Sequence, residues 1–552
     1  MSTSSPRPFY FDFAGKARWA LAGLLSALVV AACGGGDDVE PTPTSLGLSQ
    51  IGAYEGGVLG AAEITAYDPG SRRLFVVNGS NGTVDVLDLS NPASPTKVST
   101  LSVTALGAAV NSVAVHDGLV ALAIEAAPKT SPGKVAFYRA SDLALLSSVT
   151  VGALPDMLAF TPDGRRLLVA NEGEPNSYGQ ADSADPEGSV SVITVNGGTT
   201  PSVATADFKA WIGREAELRT QGVRIYGPGA NAAQDLEPEY ITISEDGATA
   251  WVTLQENNAI AEVDIASARV TAIRALGLKD HSLARFGLDP SDEDGGTDTN
   301  SGTAVVKILT APVKGMYLPD AVANYRVGGR TYLVTANEGD ARADWPGFNE
   351  ETRVRAHCAA GLDPAVFGAD AARLLFDSAL GRLRITTTPN GGTDGKNASG
   401  QCTTLQSFGG RSISIWQTDG TRVWDSGDDL EQRTTSLANV KFNASHDNDN
   451  LDSRSPSKGP EPEGVIVVRF GAKFFAFVVL ERVGGIVVYD VTNPATPTFV
   501  NYLNTRTGAT GPRGPEGITF IPASQSPNGK PLLVVGHEVS GTTAVYQIGL
   551  AY

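Results

Sequence analysis

The stretch LPDMLAFTPDGRRLLVANEGEP, residues 154–175, sets out the plan of the whole chain. Asp156 opens a short apolar strand, Asp163-Gly164 makes a turn, a second apolar strand follows, and Glu172 closes the unit. An Asp-Gly pair between two apolar runs is a strong short-range hairpin signal. The same unit recurs from Glu63 to Asn78, Asn111 to Glu125, Glu239 to Glu256, Asp320 to Glu338, Glu463 to Glu481 and Glu516 to Glu538. A hairpin brings its two ends together opposite its turn, so opening and closing residues are expected on one face of the molecule. Twelve of these fourteen residues are acidic and two are Asn.

Working outward, the first unit continues into TVDVLDL (83–89) and TKVSTLSV (96–103), giving four strands. LDLSNPASPTKVSTL (87–101) is nearly repeated by YDVTNPATPTFVNYL (489–503), each with an Asn-Pro turn between a third and a fourth strand. Four antiparallel strands repeated seven times predict an all-β fold, a seven-bladed β-propeller with long loop insertions. Opening positions lie 48, 45 and 53 residues apart where little is inserted and 81–143 apart elsewhere. The insertions are placed at 173–237, 278–317, 339–411 and 427–460, and FKAWIGREAELRTQGV (208–223) is expected to be helical. After Glu516 the chain holds only three strands, ending at TTAVYQI (542–548). LGLSQIGAY (46–54) is therefore predicted to supply the last blade's outer strand and shut the ring, which removes exposed sheet edges.

The ends and the composition bound the setting. Lys16 and Arg18 precede the apolar run WALAGLLSALVVAA, too short to cross a bilayer comfortably, which ends at Val30-Ala31-Ala32-Cys33. Residues 1–32 read as a lipoprotein signal peptide and Cys33 as the lipidated residue, with Gly34 favouring the outer membrane. Residues 33–45 read as a Gly/Pro-rich tether and 46–552 as the propeller. The membrane is thus met only through the lipid anchor, and a monomer is expected. Cys358 and Cys402 are expected to form a disulfide in an exported chain. The net charge of −18, which becomes −20 without residues 1–32, argues against nucleic acid and anionic membranes as partners and favours cations.

Glu63, Asp156, Glu172, Glu239, Glu256, Asp320, Glu338, Glu463, Glu481, Glu516 and Glu538 are the candidate metal ligands. Hard oxygen donors select Ca²⁺ first, with Mg²⁺ or Mn²⁺ as alternatives. The bland reading is that these acids cap strand ends around the channel. DPSDEDGG (289–296) has calcium-loop spacing at Asp289, Asp292 and Asp294 but lacks the final Glu, and is expected to be a solvated acidic loop. HDNDNLD (446–452), followed by Arg454 and Lys458, adjoins the ring acid Glu463. Lys458, Arg454 and His446 are candidates for catalysis on a metal-held phosphate. No GxSxG, HExxH, CxxC or P-loop is present.

ANEGEPN, GMYLPDAV with TANEGDAR, DLEPEYITIS, and SRSPSKGPEPEGV with GPEGITF resemble the choice-of-anchor I family across nearly all of 46–552. The resemblance implies an extracytoplasmic seven-bladed propeller. Its relatives include cell-surface glycoproteins linked to biomineralisation and bacterial members described as alkaline phosphatase-like. Three functions follow as expectations. One is a surface lipoprotein binding divalent metal, and through it an anionic or phosphorylated ligand. Another is a metal-dependent phosphoesterase, and the last is a metal-free interaction propeller.

Overall fold

The computed structural model describes residues 41–296, 302–343 and 345–552. The expected signal peptide, Cys33 and most of the expected tether lie outside the described residues.

RRLFVVN shows how sequence becomes architecture. Successive strand residues face opposite sides of a sheet. Leu74 and Val76 pack toward the last blade, while Phe75 and Val77 pack toward the second. A strand covered on both faces must be apolar throughout, which explains the unbroken runs in the middle of every repeat.

Among the described residues there are seven four-stranded antiparallel sheets. We number them as blades in chain order. Their first strands are Thr65–Asp68, Ala109–His116, Pro155–Phe160, Ile241–Ile243, Val322–Val327, Pro462–Phe470 and Pro515–Ile521. Each first strand contacts the next, and the seventh contacts the first. Each of the seven junctions between neighbouring blades has its own apolar cluster, the one between blades 7 and 1 included. The ring is therefore closed by packing as well as by connectivity.

The N-terminal strand Ser45–Glu55 completes blade 7, pairing antiparallel with Thr542–Ala551 from Ser45 opposite Ala551 to Glu55 opposite Thr542. This is the predicted closure, with register now fixed.

The insertions are built differently from the expectation of plain loops. Segment 173–237 contains the outer strands of blade 3, Ser189–Thr194 and Ser202–Asp207, as well as added chain. Only Glu215–Gln221 of the expected 208–223 helix is α-helical, because Gly213 and Gly222 both take positive φ and bound it. Segments 278–317 and 339–411 join in a five-stranded side sheet with a separate apolar core. Cys358 and Cys402 lie in that core, bonded as a disulfide with Cα atoms 5.5 Å apart.

Candidate functional site: the acidic channel mouth

A local irregularity aims the opening residues inward. In blades 2, 3, 6 and 7 the first strand carries a β-bulge at Asn111, Asp156, Glu463 and Glu516 respectively. A bulge adds a residue that pairs with nothing and re-aims its side chain. All seven opening residues line one of two adjoining hollows, of about 250 and about 290 Å³, that share Asp156, Tyr240, Asp320 and Glu516.

The closing ring is less regular than the repeats suggested. Strand pairing makes Asn171 of blade 3 the equivalent of Asn78 in blade 1 and of Ile124 in blade 2, so Glu172 corresponds to Gly79 and to Glu125. The backbone bonds of Glu239 with Thr253 likewise match those of Glu63 with Val77, which puts Gln255, not Glu256, at the closing position of blade 4. The ring is thus Gly79, Glu125, Glu172, Gln255, Glu338, Glu481 and Glu538. Asn78 instead caps the short turn Gly79–Asn81. Gly79 leaves room for Glu63, whose carboxylate would lie 2.0 Å from any Cβ placed there. Glu256 sits one step away, and its Oε2 is buried without a partner. Burial raises Glu256 to about 7, against the pull of Arg342.

Eleven carboxylates and two cations, Lys458 and Arg482, line the two hollows. Withdrawal from water penalises the charged form of each acid, and the neighbouring acids add to it. Burial raises Glu63 to about 8, helped by Glu538 and Asp156. Burial with Glu174 nearby raises Asp156 to about 7. Asp320 rises to about 8 through burial and then Asp156 and Glu481. Glu172, Glu239, Glu463 and Glu516 are pushed well above the usual carboxylate range, in each case first by burial.

The densest group is Glu338, Glu463 and Glu481, one oxygen from each lying within 4.8 Å of the others. Glu338 bonds Lys458 through one oxygen and accepts from Gln255 Nε2 at 3.0 Å through the other. Glu481 meets His446 Nδ1 and Arg482 Nη1, each at 3.0 Å. Glu463 Oε2 is buried with no partner. Two like charges at this spacing repel by roughly 3 kcal/mol at an effective dielectric of about 20. Protons or a cation must offset this, and a hard cation fits an all-oxygen set of this kind.

The three residues nominated for catalysis converge on this region but are already engaged. Arg454 grips Glu461 Oε1 through Nε at 2.9 Å and Nη2 at 2.5 Å. Lys458 bridges Glu338 and Glu461, and Arg482 donates to Glu461 at 2.8 Å. Burial works to raise Glu461, but Arg454, Lys458 and Arg482 outweigh it and hold the carboxyl far below its usual range. Lys458 loses by burial and gains more from Glu338 and Glu461, so it stays charged. His446 lies between Arg482 and Glu481.

Glu461 and Arg482 carried no repeat signal, since each belongs to one blade alone. Elsewhere His537 is buried beside Tyr546, and desolvation lowers it to about 3, as a packed strand-end residue.

The choice-of-anchor I domain model matches residues 63–494, most of the chain. The protein belongs to the choice-of-anchor I domain family. Gigasin-3a of Magallana gigas is 31% identical over 191 residues, covering 31% of this chain and 66% of that protein. Three solved structures are similar in outline. Hydrazine synthase of Kuenenia stuttgartiensis matches at TM-score 0.42 and 14% identity, covering 88% of this chain and 95% of that one. The Myceliophteria thermophila Cps50 (Swd1) β-propeller domain gives 0.43 and 8%, covering 91% and 99%. The WD40 domain of Toxoplasma gondii coronin gives 0.44 and 10%, covering 93% and 88%. The blade count rests on this chain's own strand pairing and not on those likenesses. Membership in the choice-of-anchor I family accords with export. No helix among the described residues is long and apolar enough to cross a membrane.

Proposed function

We propose that this choice-of-anchor I protein is an outer-membrane lipoprotein, lipidated at Cys33, whose channel mouth binds calcium and through it an anionic or phosphorylated ligand. The observation that carries the reading is the convergence of Glu338, Glu463 and Glu481, with one Glu463 oxygen unpartnered among eleven carboxylates. A divalent ion there offsets several repulsions at once and leaves coordination positions for an anion from solvent. Mg²⁺ and Mn²⁺ share the donor chemistry but demand stricter geometry than a ring of independent blades imposes. Hydrolysis would need a cation free to meet a phosphoryl oxygen, whereas Lys458 and Arg454 are held by Glu338 and Glu461. Binding without turnover is therefore the favoured reading.

The test is elemental analysis of the purified full-length protein after dialysis against calcium, followed by phosphomonoester hydrolysis assays with Ca²⁺ or Mn²⁺. Bound calcium without hydrolysis supports the proposal, and metal-dependent hydrolysis replaces it with the phosphoesterase. No bound metal, with melting indifferent to chelator, leaves the metal-free interaction propeller.

A further inference from the structure

DPSDEDGG and HDNDNLD, with 149 residues between them, meet away from the channel mouth. The solvated acidic loop expected at 289–296 is not what forms: Asp289 is 0% exposed, Asp294 5% and Asp452 0%. Asp292 alone turns outward, into a two-pronged contact with Arg382. One carboxylate oxygen from each of Asp289, Asp294 and Asp452 lies within 4.8 Å of the others.

Their remaining contacts are few. Asp289 accepts from the backbone N–H of Lys307 at 2.5 Å and of Ser291 at 3.4 Å. Asp294 Oδ1 accepts from Val305 N at 3.2 Å, and Asp452 Oδ1 from the Ser455 hydroxyl. Among the described residues, Asp294 Oδ2 and Asp452 Oδ2 are buried with no hydrogen-bond partner. Among the described residues no Lys, Arg or His forms an ion pair with any of the three carboxylates; Lys307 Nζ instead donates to the backbone carbonyl of Asp294 at 3.5 Å. The adjacent Arg411 is committed to Glu431 at 2.8 Å and to the carbonyls of Asp289, Ser455 and Ser457.

We propose that Asp289, Asp294 and Asp452 form a second site for a hard divalent cation of the calcium class, distinct from the channel mouth. Two orphaned oxygens inside one cluster each forgo a hydrogen bond, a loss that weighs more heavily for a charged group. A dication offsets that cost and the mutual repulsion together. Three carboxylates offer up to six oxygens, with no nitrogen or sulfur donor to favour zinc. Burial pushes Asp289 up to about 7 and Asp452 up to about 9, so the competing occupant is the proton.

The site has a structural consequence. Asp452 holds a left-handed backbone (φ 68) six residues before Lys458, while Asp289 and Asp294 belong to the side lobe. The cation would pin the segment that delivers Arg454, Lys458 and Glu461 to the mouth.

The proposal is tested with Asp452→Asn and Asp294→Asn in the full-length chain, measuring calcium per chain and melting temperature in calcium and in EDTA. Each variant is expected to lose one ion per chain. Each is also expected to melt below wild type in calcium but at or above it in EDTA, where charge removal relieves repulsion. Unchanged calcium content, or the same order of melting in both conditions, overturns it. Glu463→Gln, which touches only the mouth, keeps the two sites separable. If that variant retains one calcium that is lost when Asp452→Asn is added, the second site stands even if the mouth binds nothing. If it binds none, the proposal fails, whether or not the Asn variants fold.

Discussion

Replacing Glu463 with Gln removes one charge from the most crowded part of the mouth while keeping the side chain's shape. Glu463 faces Glu338 and Glu481, with oxygens within 4.8 Å. Each repulsion is about 3 kcal/mol at an effective dielectric of about 20. Lys458 and Arg482 offset part of it, since they pair with Glu338 and Glu481. A net gain of about 1–3 kcal/mol is expected for the metal-free protein. At roughly 2.1 cal/mol/K of unfolding entropy per residue, a body of about 500 residues shifts by about 1 °C per kcal/mol. Glu463→Gln should therefore melt about 1–3 °C above wild type in EDTA. In millimolar calcium the order should reverse, because a charged ligand has been lost, and calcium affinity should fall by about 10- to 100-fold. Scanning calorimetry gives the first quantity and isothermal titration the second. A Gln variant that melts below wild type in EDTA would refute the reasoning, since it would mean that Glu463 is stabilised in its charged form without a cation.

Other outcomes follow from the same geometry. In EDTA, stability should fall as pH rises from about 4 to about 8. The folded-state carboxyls of Glu63, Asp156 and Asp320 lie near 8, 7 and 8, so the folded chain binds more protons than the unfolded chain throughout that window. Each such proton changes the unfolding free energy by about 1.4 kcal/mol per pH unit, and saturating calcium should flatten the fall. Lys458→Met leaves Glu338 and the fully buried Glu461 short of a partner and should destabilise by about 3–5 kcal/mol, read by chemical denaturation. Removing residues 45–55 strips the fourth strand from blade 7, and the chain should aggregate through the exposed edge of Thr542–Ala551, read by light scattering. Cys402→Ser opens a 44-residue loop and should cost about 4 kcal/mol in the side lobe on the chain-entropy account, read by proteolysis around 358–402.

The fold was legible because a propeller writes itself into sequence once per blade. The double-sided burial of runs such as RLFVVN, the turn pairs and the missing fourth strand of blade 7 each point to a closed ring of four-stranded sheets. The opening residues, six acids and Asn111, were legible for the same reason, as all seven sit at one structural position. The closing positions were legible only in part. Asn78 and Glu256 look equivalent to Glu172 by eye, but strand pairing sets each of them one residue off that position, which Gly79 and Gln255 occupy. A slip of one residue moves a side chain to another face. Hence Gln255, and not Glu256, meets Glu338.

What escaped sequence reading was pairing between segments far apart in the chain. Nothing local in DPSDEDGG says that Asp289 and Asp294 will be buried, because burial comes from Asp452, Glu431 and Arg411, more than a hundred residues away. Likewise Arg342 reaches Asp235 at 2.5 Å and Glu237 at 2.8 Å, and Arg224 reaches Glu350 at 2.5 Å. These buried pairs fasten the 208–237 segment to the insertion between the second and third strands of blade 5. Insertions follow no repeat, so their contacts have no periodicity to betray them.

The most direct measurement is an anomalous difference map from crystals of this protein grown with Mn²⁺ as a heavier stand-in for calcium. A peak within coordination distance of carboxylate oxygens of Glu338, Glu463 and Glu481, lost when calcium is supplied in excess, is the predicted result. A mouth with no peak at millimolar metal, its acids held by Lys458, Arg482 and protons alone, would contradict the account.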